Sequence, residues 1–482
     1  MPFKTYADEK SDSFIAVKKK YTQMKKIIQI AQFIAIFFLP LGCAKEFLEV
    51  KRDKAQAIPS SLQDYLAMLD NISTFNTRSA FQLNAVGTDE YYIEGERWDL
   101  LSSNMQKNAY IWAENIFEGE ESDSWNFAYE RILYANTVLD GLKEYDYAAV
   151  EKQLYSTIYG TALFMRTYTF YQLAQTFAPQ YDVHSSATDL GIPLRLEMDI
   201  TLPVKRETLE NTYKQMIGDL GLAIRLLPTK SNLKFRPTRQ AAYALLSKIH
   251  LHKGDYESAS DFADSCIAMS NGLLDYNTLD TTKRYTFADF QLGEGNPEVL
   301  YTELIPGLTI LNSSRFCINP EVYELYETND VRKNAFFYPT RGTYTFKGSY
   351  TGMYNFFGGL ALDEVVLIRA ECRARAGDLT GALEDINYLL VNRYQTSHFV
   401  PFLADDYDDI MRKIVQERRK QLLCRAIRWE DLKRFNKETA FQTTLTRDLK
   451  GVTYSLKPND PRYTWPIPDE VIRMSGIPQN AR

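Results

Sequence analysis

One spacing of small residues occurs twice in this chain, and it limits the possible folds more than any other feature. In each copy two small residues stand twelve positions apart, and a Gly lies five positions before the second. The copies are Ser247, Gly254 and Ala259 within residues 243–267, and Ala370, Gly377 and Ala382 within residues 366–390. Gly ends a helix readily because it adopts a left-handed backbone conformation without strain. Since antiparallel helices pack closely only where small residues meet, the spacing predicts two helix pairs.

Helix pairs of this kind are typical of tetratricopeptide repeats, in which successive pairs stack and share a core. Two copies do not make a complete solenoid, but weaker pairs at 122–177 and 406–435 would extend it. Apolar residues recur at helical spacing over most of the chain, in the stretches 61–71, 122–143, 147–177, 208–227, 237–252, 256–270, 361–376, 379–393 and 406–435. Ser122 and Thr208 stand where helix N-caps are expected. The sequence therefore predicts a mainly α fold built as a tetratricopeptide-like scaffold of helix pairs.

Two long segments that are rich in aromatic residues separate the helices, at 72–118 and 271–359. We expect irregular loops there, and loops of this length in a compact domain usually have a function. Within the second segment, Thr343 to Phe346 alternates like a strand, and Lys347-Gly348 follows as a possible turn. This pattern predicts a minor β-hairpin.

The start of the chain has the pattern of a secretory signal. Residues 27–42 form an uncharged apolar run of about 15 residues, preceded by two lysines and followed by Cys43. The run is shorter than the roughly 20 apolar residues that a transmembrane helix needs. We expect residues 1–42 to be a signal peptide, with translation starting at Met24 and cleavage before a lipidated Cys43. An ordinary cleaved signal and an uncleaved anchor are the alternatives. Residues 43–482 then form a single domain.

Charge excludes some classes of partner. The 482 residues carry a formal net charge of −6, and this becomes −10 without residues 1–42, which hold seven Lys and three acidic residues. An acidic body argues against nucleic acid, which requires a basic surface, and against adhesion to anionic lipid headgroups.

Cysteine and histidine give no sign of a metal site or a cofactor. The four cysteines beyond Cys43 lie far apart with no C-x-x-C motif, which argues against zinc; they are Cys266, Cys317, Cys372 and Cys424. We expect buried apolar roles for three of these, Cys266, Cys372 and Cys424, while a disulfide stays open. His250 and His252 are two positions apart on a predicted helix, so they point to different faces and cannot hold one ion together.

No catalytic motif for hydrolysis, metalloproteolysis or phosphate binding is present, so we expect a protein that is not an enzyme. Charged residues do occur within apolar helical stretches, namely Arg369, Glu371, Arg428, Asp431 and Arg434. A buried charge is costly unless it is paired. We therefore predict a structural network of ion pairs that joins the late helices.

Aromatic side chains are the best candidates for ligand contact. The chain holds 32 Tyr, 27 Phe and 5 Trp. An exposed ring packs against the C–H face of a sugar while neighbouring polar groups bond its hydroxyls. The candidates from the first segment are Tyr91, Tyr92, Trp98 and Trp112, and those from the second are Tyr338, Tyr344, Tyr350 and Tyr354. Trp125, within a helical stretch, is assigned to the core.

Several further motifs follow one another from Cys43 to Arg482. They are Phe47 to Val50, Gly160 to Phe170 with Arg166 inside, Asp189 to Leu194, Val204 to Pro228, Arg236 to Ala259, Asp363 to Arg393, Glu417 to Arg434, Trp465 to Pro468, and Gln479-Asn480. In content and order this series resembles the SusD/RagB family, the surface lipoproteins that serve nutrient uptake in Bacteroidetes. The resemblance divides the domain into an N-terminal region, about 45–230, and a C-terminal region, 231–482.

The resemblance implies a lipid-anchored protein on the outer membrane, exposed at the cell surface. Such a protein binds a glycan, less often a peptide, and passes it to a SusC-like TonB-dependent outer-membrane transporter. A tetratricopeptide-type scaffold that binds peptides or proteins, and a glycoside hydrolase on a helical frame, are the alternatives. Long aromatic loops favour the first function, because a pure scaffold would keep its connections short.

Overall fold

Stacked helices form the frame of this protein, as the small-residue spacing predicts. The structure is a computed structural model that describes residues 59–348 and 350–482. The helices are α1 (Leu62–Leu69), α2 (Ile72–Phe75), α3 (Gln82–Gly87), α4 (Gly95–Asp99), α5 (Asn104–Tyr110), α6 (Asp123–Lys143), α7 (Lys152–Phe177), α8 (Leu209–Leu226), α9 (Arg239–Lys253), α10 (Tyr256–Ala268), α11 (Pro320–Tyr323), α12 (Val331–Phe336), α13 (Leu362–Arg375), α14 (Leu379–Leu390), α15 (Tyr407–Gln421), α16 (Ile427–Phe435) and α17 (Asp469–Ser475).

Both copies of the repeated spacing form the predicted helix pairs. Helices α9 and α10 cross at the first copy, where the Ser247 hydroxyl donates a 2.8 Å hydrogen bond to the Ala259 carbonyl. Gly254 comes directly after α9, and Gly377 comes two residues after the end of α13. Both have positive φ angles, 77° and 86° respectively. The fold is therefore mainly α, as predicted.

The pairs stack in sequence. Helix α6 packs on α7, α7 on α8, α8 on α9 and α9 on α10, while α10 packs on α13, and α13 packs on both α14 and α15. At the helix starts, the Thr208 side chain accepts a hydrogen bond from the Asn211 amide as expected. Ser122 also precedes its helix, but its side chain makes no capping bond.

The two aromatic segments are more ordered than expected. Short helices α2 to α5 lie within the first segment, and one of five antiparallel two-stranded ladders in the described residues, β1–β4, joins the first segment to the second. The strands are β1 (Tyr91–Ile93), β2 (Val299–Tyr301), β3 (Leu304–Ile305), β4 (Phe316–Ile318), β5 (Phe337–Thr340), β6 (Thr343–Phe346), β7 (Phe356–Phe357), β8 (Leu360–Ala361), β9 (Leu445–Leu449) and β10 (Val452–Leu456). The ladders are β1–β4, β2–β8, β3–β7, β5–β6 and β9–β10.

The predicted hairpin exists, but its turn is not at Lys347-Gly348. Strand β6 pairs in antiparallel fashion with the preceding strand, β5, and Thr340 lies opposite Thr343. The two residues between them, Arg341 and Gly342, both have positive φ, at 50° and 77°. Turns of this kind match the twist of a two-residue hairpin. The sequence does not indicate this turn, because arginine rarely adopts a positive φ.

Buried ion pairs join the helical stack to the strands. Arg131 of α6 lies 2.9 Å from Glu303, which directly precedes β3, and both side chains are almost fully buried. Gln172 of α7 completes the cluster: its carbonyl oxygen accepts from Arg131 at 2.7 Å, and its amide donates to Glu303 at 2.8 Å. The same Gln172 oxygen accepts from the Ala80 amide at 3.0 Å. One polar cluster thus holds two helices, a strand and the first aromatic segment.

The predicted network among the late helices is present in part. Arg434 of α16 bonds Glu371 of α13 at 2.9 Å and Asp431 at 3.0 Å, and Arg418 of α15 bonds Asp431 through two contacts. Arg428 differs from the prediction. It pairs with Asp89, between α3 and β1, at 2.8 and 3.0 Å, and so connects α16 to the first aromatic segment.

Arg369 also departs from the predicted network, because it bridges Asp385 of α14 and Asp264 of α10 at the edge of the stack. Cys266, Cys372, Cys424 and Trp125 are buried, as expected. Cys317 is buried too, and these four cysteines of the described residues are free thiols.

Residues Ser60–Arg482 form one compact unit. Within the described ranges, no helix has the length and apolar character that crossing a bilayer requires. The signal sequence, Met24 and Cys43 lie outside the described residues.

Replacing Arg131 with Met should lower the free energy of unfolding by roughly 3 kcal/mol or more, because Glu303 would lose its cationic partner while staying buried. The control is Arg78→Met. Arg78 pairs with Glu130 at 2.8 Å, but these side chains are 35% and 38% exposed, so its loss should cost less than about 1 kcal/mol. Urea unfolding of both variants checks this. Equal losses would contradict a structural role for the Arg131 cluster.

Glu90 should make stability depend on pH. Its carboxylate is buried and accepts hydrogen bonds from the Cys424 amide at 3.0 Å and the Thr88 hydroxyl at 3.1 Å. Burial, together with the neighbouring Asp89 charge, raises the pKa of Glu90 to about 7. The folded state thus binds a proton that the unfolded state releases above its ordinary pKa of 4.5. The contribution of Glu90 to the free energy of unfolding is fully present below the pKa of the unfolded state. It is lost as the pH rises through about 7.

Glu90→Gln removes this titration. The free energy of unfolding of the variant, relative to wild type, should therefore increase between pH 4.5 and 8 by up to roughly 3 kcal/mol. Urea unfolding at both pH values measures the change. A difference between the two proteins that is the same at both pH values would rule out the shifted pKa.

Candidate functional site

Three of the eight aromatic candidates belong to the core. Tyr91, Trp112 and Tyr350 are 4%, 0% and 2% exposed. The Tyr91 hydroxyl donates to the Val86 carbonyl and the Trp112 ring N–H to the Gly87 carbonyl, each at 3.0 Å. Tyr350 bonds the buried Asp363 carboxylate at 2.9 Å. Since the protein covers both faces of these rings and satisfies their polar atoms, the structure gives them packing roles in place of the predicted ligand contact.

Three more candidates are half-buried. The Tyr344 ring is stacked on Tyr323, with 3.8 Å between centroids and 11° between planes, so the protein already occupies one of its faces. Trp98 of α4 lies beneath the Lys107 ammonium, which is 5.4 Å from the ring centroid. Tyr92 lies opposite Cys317 in the β1–β4 ladder. All three are less exposed than the two remaining candidates.

Tyr354 and Tyr338 are the exposed candidates, at 66% and 43%. Both belong to the second aromatic segment. One turn of chain, Asn312 to Ser314, lies close to both. We call this surface the loop face and define it by Tyr354, Tyr338 and the 312–314 turn.

Tyr354 stands beside a cleft of about 290 Å³. Buried apolar side chains lie at its base, namely Ile305, Leu308, Leu311 and Phe356. Polar side chains lie around it, namely Thr309, Asn312 and Asn355. The Tyr354 ring itself lies near Gly307. The cleft thus combines one exposed ring with amide and hydroxyl groups.

The chain around Tyr354 is a tight, internally bonded turn. The buried Thr351 hydroxyl donates to the Asn355 carbonyl at 2.8 Å and accepts from the Met353 amide at 3.3 Å. Gly352 has φ of 71°, and a Cβ there would collide with the backbone of Phe287 and Gln291. Close packing of the turn on the segment beneath it therefore requires glycine.

The 312–314 turn and its approach, on the side of the cleft away from Tyr354, are hydrogen-bonded to the short helix α5 and to the hairpin. The side chain of Gln106 in α5 accepts from the Ile310 amide at 2.9 Å, which fixes the approach to the turn. The Thr345 hydroxyl of β6 donates to the Ser313 carbonyl at 3.1 Å. The 312–314 turn and its approach are therefore held by hydrogen bonds to a helix and a strand, while the Tyr354 turn is held by bonds within itself.

Tyr338 forms the second aromatic position. The Arg284 guanidinium lies over its ring, 4.7 Å from the centroid, and donates to the Ser313 hydroxyl at 3.2 Å. Another Arg284 nitrogen, Nη1, is buried without a hydrogen-bond partner in the described structure. A cation over a ring orients the ring and leaves its outer face for contact.

Lys347 lies nearby but faces inward. Burial and the Arg284 charge lower its pKa, and its ammonium donates to the carbonyls of Thr281 at 2.6 Å and Asn334 at 3.0 Å. We therefore assign Lys347 to the structure of the loop face and not to ligand contact.

Two larger grooves lie elsewhere. One, of about 480 Å³, is bounded by Trp125, Tyr129, Ile200 and Met474 and is mainly apolar. The other, of about 700 Å³, lies between residues 194–207 and 211–219 and has no aromatic residue in its lining. Trp125 is buried, and the Tyr129 hydroxyl donates to the Pro193 carbonyl at 2.9 Å. Neither groove offers an exposed ring.

Metal chemistry has no support in the part of the chain that the structure describes, where no group of three or more His, Cys, Asp or Glu side chains is arranged to hold an ion. His250 lies 2.9 Å from Asp255, and His252 lies 3.4 Å from Glu430, so the two histidines face different partners.

The sequence did not identify the polar members of the site. Thr309 and Asn312 belong to one turn, Asn355 and Arg284 come from two others, and none stands in a recognisable motif. Residues 352–357 mix Gly, Asn and aromatic residues, and residues 305–312 contain Pro, Gly and Asn, a composition that is common in exposed turns.

Comparison with known proteins places the chain in a family. A SusD-like family profile described as "Starch-binding associating with outer membrane" matches residues 46–251, and the SusD/RagB profile, described as "SusD family", matches residues 361–481. No curated protein sequence matches the chain significantly.

Solved structures show the same fold. A SusD superfamily protein from Bacteroides thetaiotaomicron VPI-5482 is 19% identical with a TM-score of 0.69, and the match covers 88% of this chain and all of that one. A putative sugar binding protein from Bacteroides vulgatus ATCC 8482 is 20% identical with a TM-score of 0.71, over 88% of this chain and 99% of that one. Two family profiles at either end and a shared fold between them lead to one conclusion: this chain belongs to the SusD/RagB family.

Proposed function

We propose that this protein is a lipid-anchored lipoprotein, exposed on the outer membrane, that binds a glycan at the loop face. It passes the glycan to a SusC-like TonB-dependent transporter. The observation that carries the proposal is the exposed Tyr354 ring beside a cleft whose polar groups are amides and hydroxyls.

The chemistry of the cleft suits a neutral sugar. One face of a pyranose presents C–H bonds, which pack on an aromatic ring, and its rim presents hydroxyls, which need both donors and acceptors. Asn312 and Asn355 each offer a carbonyl and an amide group, and Thr309 offers a hydroxyl. Tyr338 and Arg284 provide a second ring and further donors along the same face, which suits a ligand longer than one sugar unit.

Relatives support the same class of ligand. The matching family profile is described as starch-binding and associated with the outer membrane, and the Bacteroides vulgatus structure is described as a putative sugar binding protein. Cys43, directly after an apolar leader, supplies the point of lipid attachment that the location requires. The transporter is proposed from the family resemblance.

The two alternatives have less support. A peptide-binding scaffold would need an open groove on its helix pairs, yet most of α9, from Ala241 to His252, is buried within the domain. A glycoside hydrolase would need two carboxyls flanking the sugar bond, and the lining of the Tyr354 cleft contains no Asp or Glu. We therefore propose binding without hydrolysis.

Tyr354→Ala should weaken glycan binding by at least about tenfold, because an exposed ring that meets a sugar face contributes more than the rim contacts around it. A glycan array screen of the wild-type protein identifies the ligand, and calorimetry then gives the affinity of each variant. The matched control is Tyr147→Ala, which removes a ring that is 38% exposed and lies between α6 and α7, away from the loop face. If the two variants bind the glycan equally well, the site is not at Tyr354.

Cys43→Ala should move the protein out of the membrane fraction, because lipid attachment requires the cysteine thiol. Fractionation of the native host and mass spectrometry of the mature N-terminus provide the measurement. A Cys43→Ala protein that stays in the membrane fraction, or a wild-type protein without acyl chains, would contradict the anchor.

A further inference from the structure

Another pocket, which shares no residue with the loop face, is lined by several arginines and by no acidic residue. It measures about 270 Å³ and lies between α15, α16 and residues 440–443. Arg412, Arg419 and Arg428 line it, and no Asp or Glu does. Arg412 and Arg419 are seven positions apart on α15 and so share one face of that helix.

One carboxylate serves two of these arginines. Asp89, behind the pocket, lies 2.8 Å from Arg428 Nε and 2.8 Å from Arg419 Nη2. Two positive side chains thus share one carboxylate in direct contact, while Glu90 and Glu321 act on Arg419 only from a greater distance. The third cation, Arg412, is 63% exposed and contacts Asp409 on the surface of α15. The three arginines therefore contact two carboxylates, Asp89 and Asp409, which leaves one more cation than anion in direct contact.

Arg419 also has an unused donor. Its Nε is buried with no hydrogen-bond partner in the described structure. Burial lowers the pKa of Arg419, and the attraction of Asp89 does not fully offset this effect. A buried guanidinium donor without an acceptor costs free energy.

The remaining walls are apolar. Phe435 and Phe441 meet edge to face with 5.5 Å between centroids, and Leu432 lies beside them. Arginine binds carboxylates in a planar two-point geometry, and apolar surroundings strengthen that attraction by lowering the local dielectric constant. The same walls suit a compact ring carried next to the charge.

We infer that this pocket binds the carboxylate of a small ring-bearing acid, held by Arg419 and Arg412 against the Phe435–Phe441 wall. Two sources share this chemistry, a uronic acid unit of a saccharide and an aromatic organic acid. The inference is independent of glycan binding at Tyr354, since no residue is common to the two sites.

Calorimetry with three probes tests the inference on the wild-type protein. Glucuronate presents a carboxylate on a sugar ring, glucose presents the same ring without charge, and benzoate presents a carboxylate on an aromatic ring. Glucuronate or benzoate should bind, with an affinity that falls as NaCl is added, while glucose should not bind at this pocket. The tighter of the two acids identifies the source. If neither acid binds, or if glucose binds as well as glucuronate with the same dependence on these arginines, the inference is wrong.

Variants locate the binding. Arg419→Gln should weaken the acid at least about tenfold, because it removes the charged donors of the pocket, while Arg428 still pairs with Asp89. Arg412→Gln should weaken it about threefold, and its exposed position makes misfolding no explanation for a loss. The matched control is Arg473→Gln, which breaks a similar exposed pair with Glu470, three residues away on α17.

Tyr354→Ala should leave acid binding unchanged, which separates this site from the loop face. Undiminished acid binding in both Arg419→Gln and Arg412→Gln, or an equal loss in Arg473→Gln, would overturn the assignment.

Discussion

The contact between the Arg131 guanidinium and the Glu303 carboxylate is the interaction on which the position of the loop face depends. Arg131 belongs to the helical stack, and Glu303 precedes the strand that leads into the Tyr354 cleft. Burying two charges is expensive, and their attraction repays the cost only when the geometry is good and the remaining lone pairs are bonded. Gln172 bonds both partners and also holds Ala80, so the cluster fixes where the two aromatic segments meet the frame. Glu303 Oε2 and Arg131 Nε have no hydrogen-bond partner in the described structure.

The same design recurs at the other end of the stack. Arg428 holds Asp89, which lies next to β1, and Arg434 joins Glu371 to Asp431 between the late helices. Apolar contacts alone would let a loop segment slide on a helix, since they have little directional preference. Paired charges at fixed positions restrict such sliding, because every displaced arrangement leaves a buried charge without its partner.

Regular features of the chain could be predicted, and isolated contacts could not. The helix pairs followed from Ser247, Gly254 and their counterparts, because periodic patterns record which face of a helix is buried. The strand at Thr343 was found, but its turn at Arg341-Gly342 was missed, since arginine rarely adopts a positive φ. Of the eight aromatic candidates, the sequence could not tell exposed Tyr354 from buried Trp112, because exposure depends on residues far away in the chain. Arg428 was expected to pair with the late helices, and its partner proved to be Asp89, more than 300 positions away.

The bonded turn beneath Tyr354 has a consequence for how a ligand would be captured. Thr351 and Gly352 already hold the backbone of this turn in place. The Tyr354 ring therefore projects into solvent from a turn that is ordered before any ligand binds. Association would then need no prior rearrangement, and little of the contact energy would be lost to freezing the chain. Such a surface favours rapid association with a passing ligand.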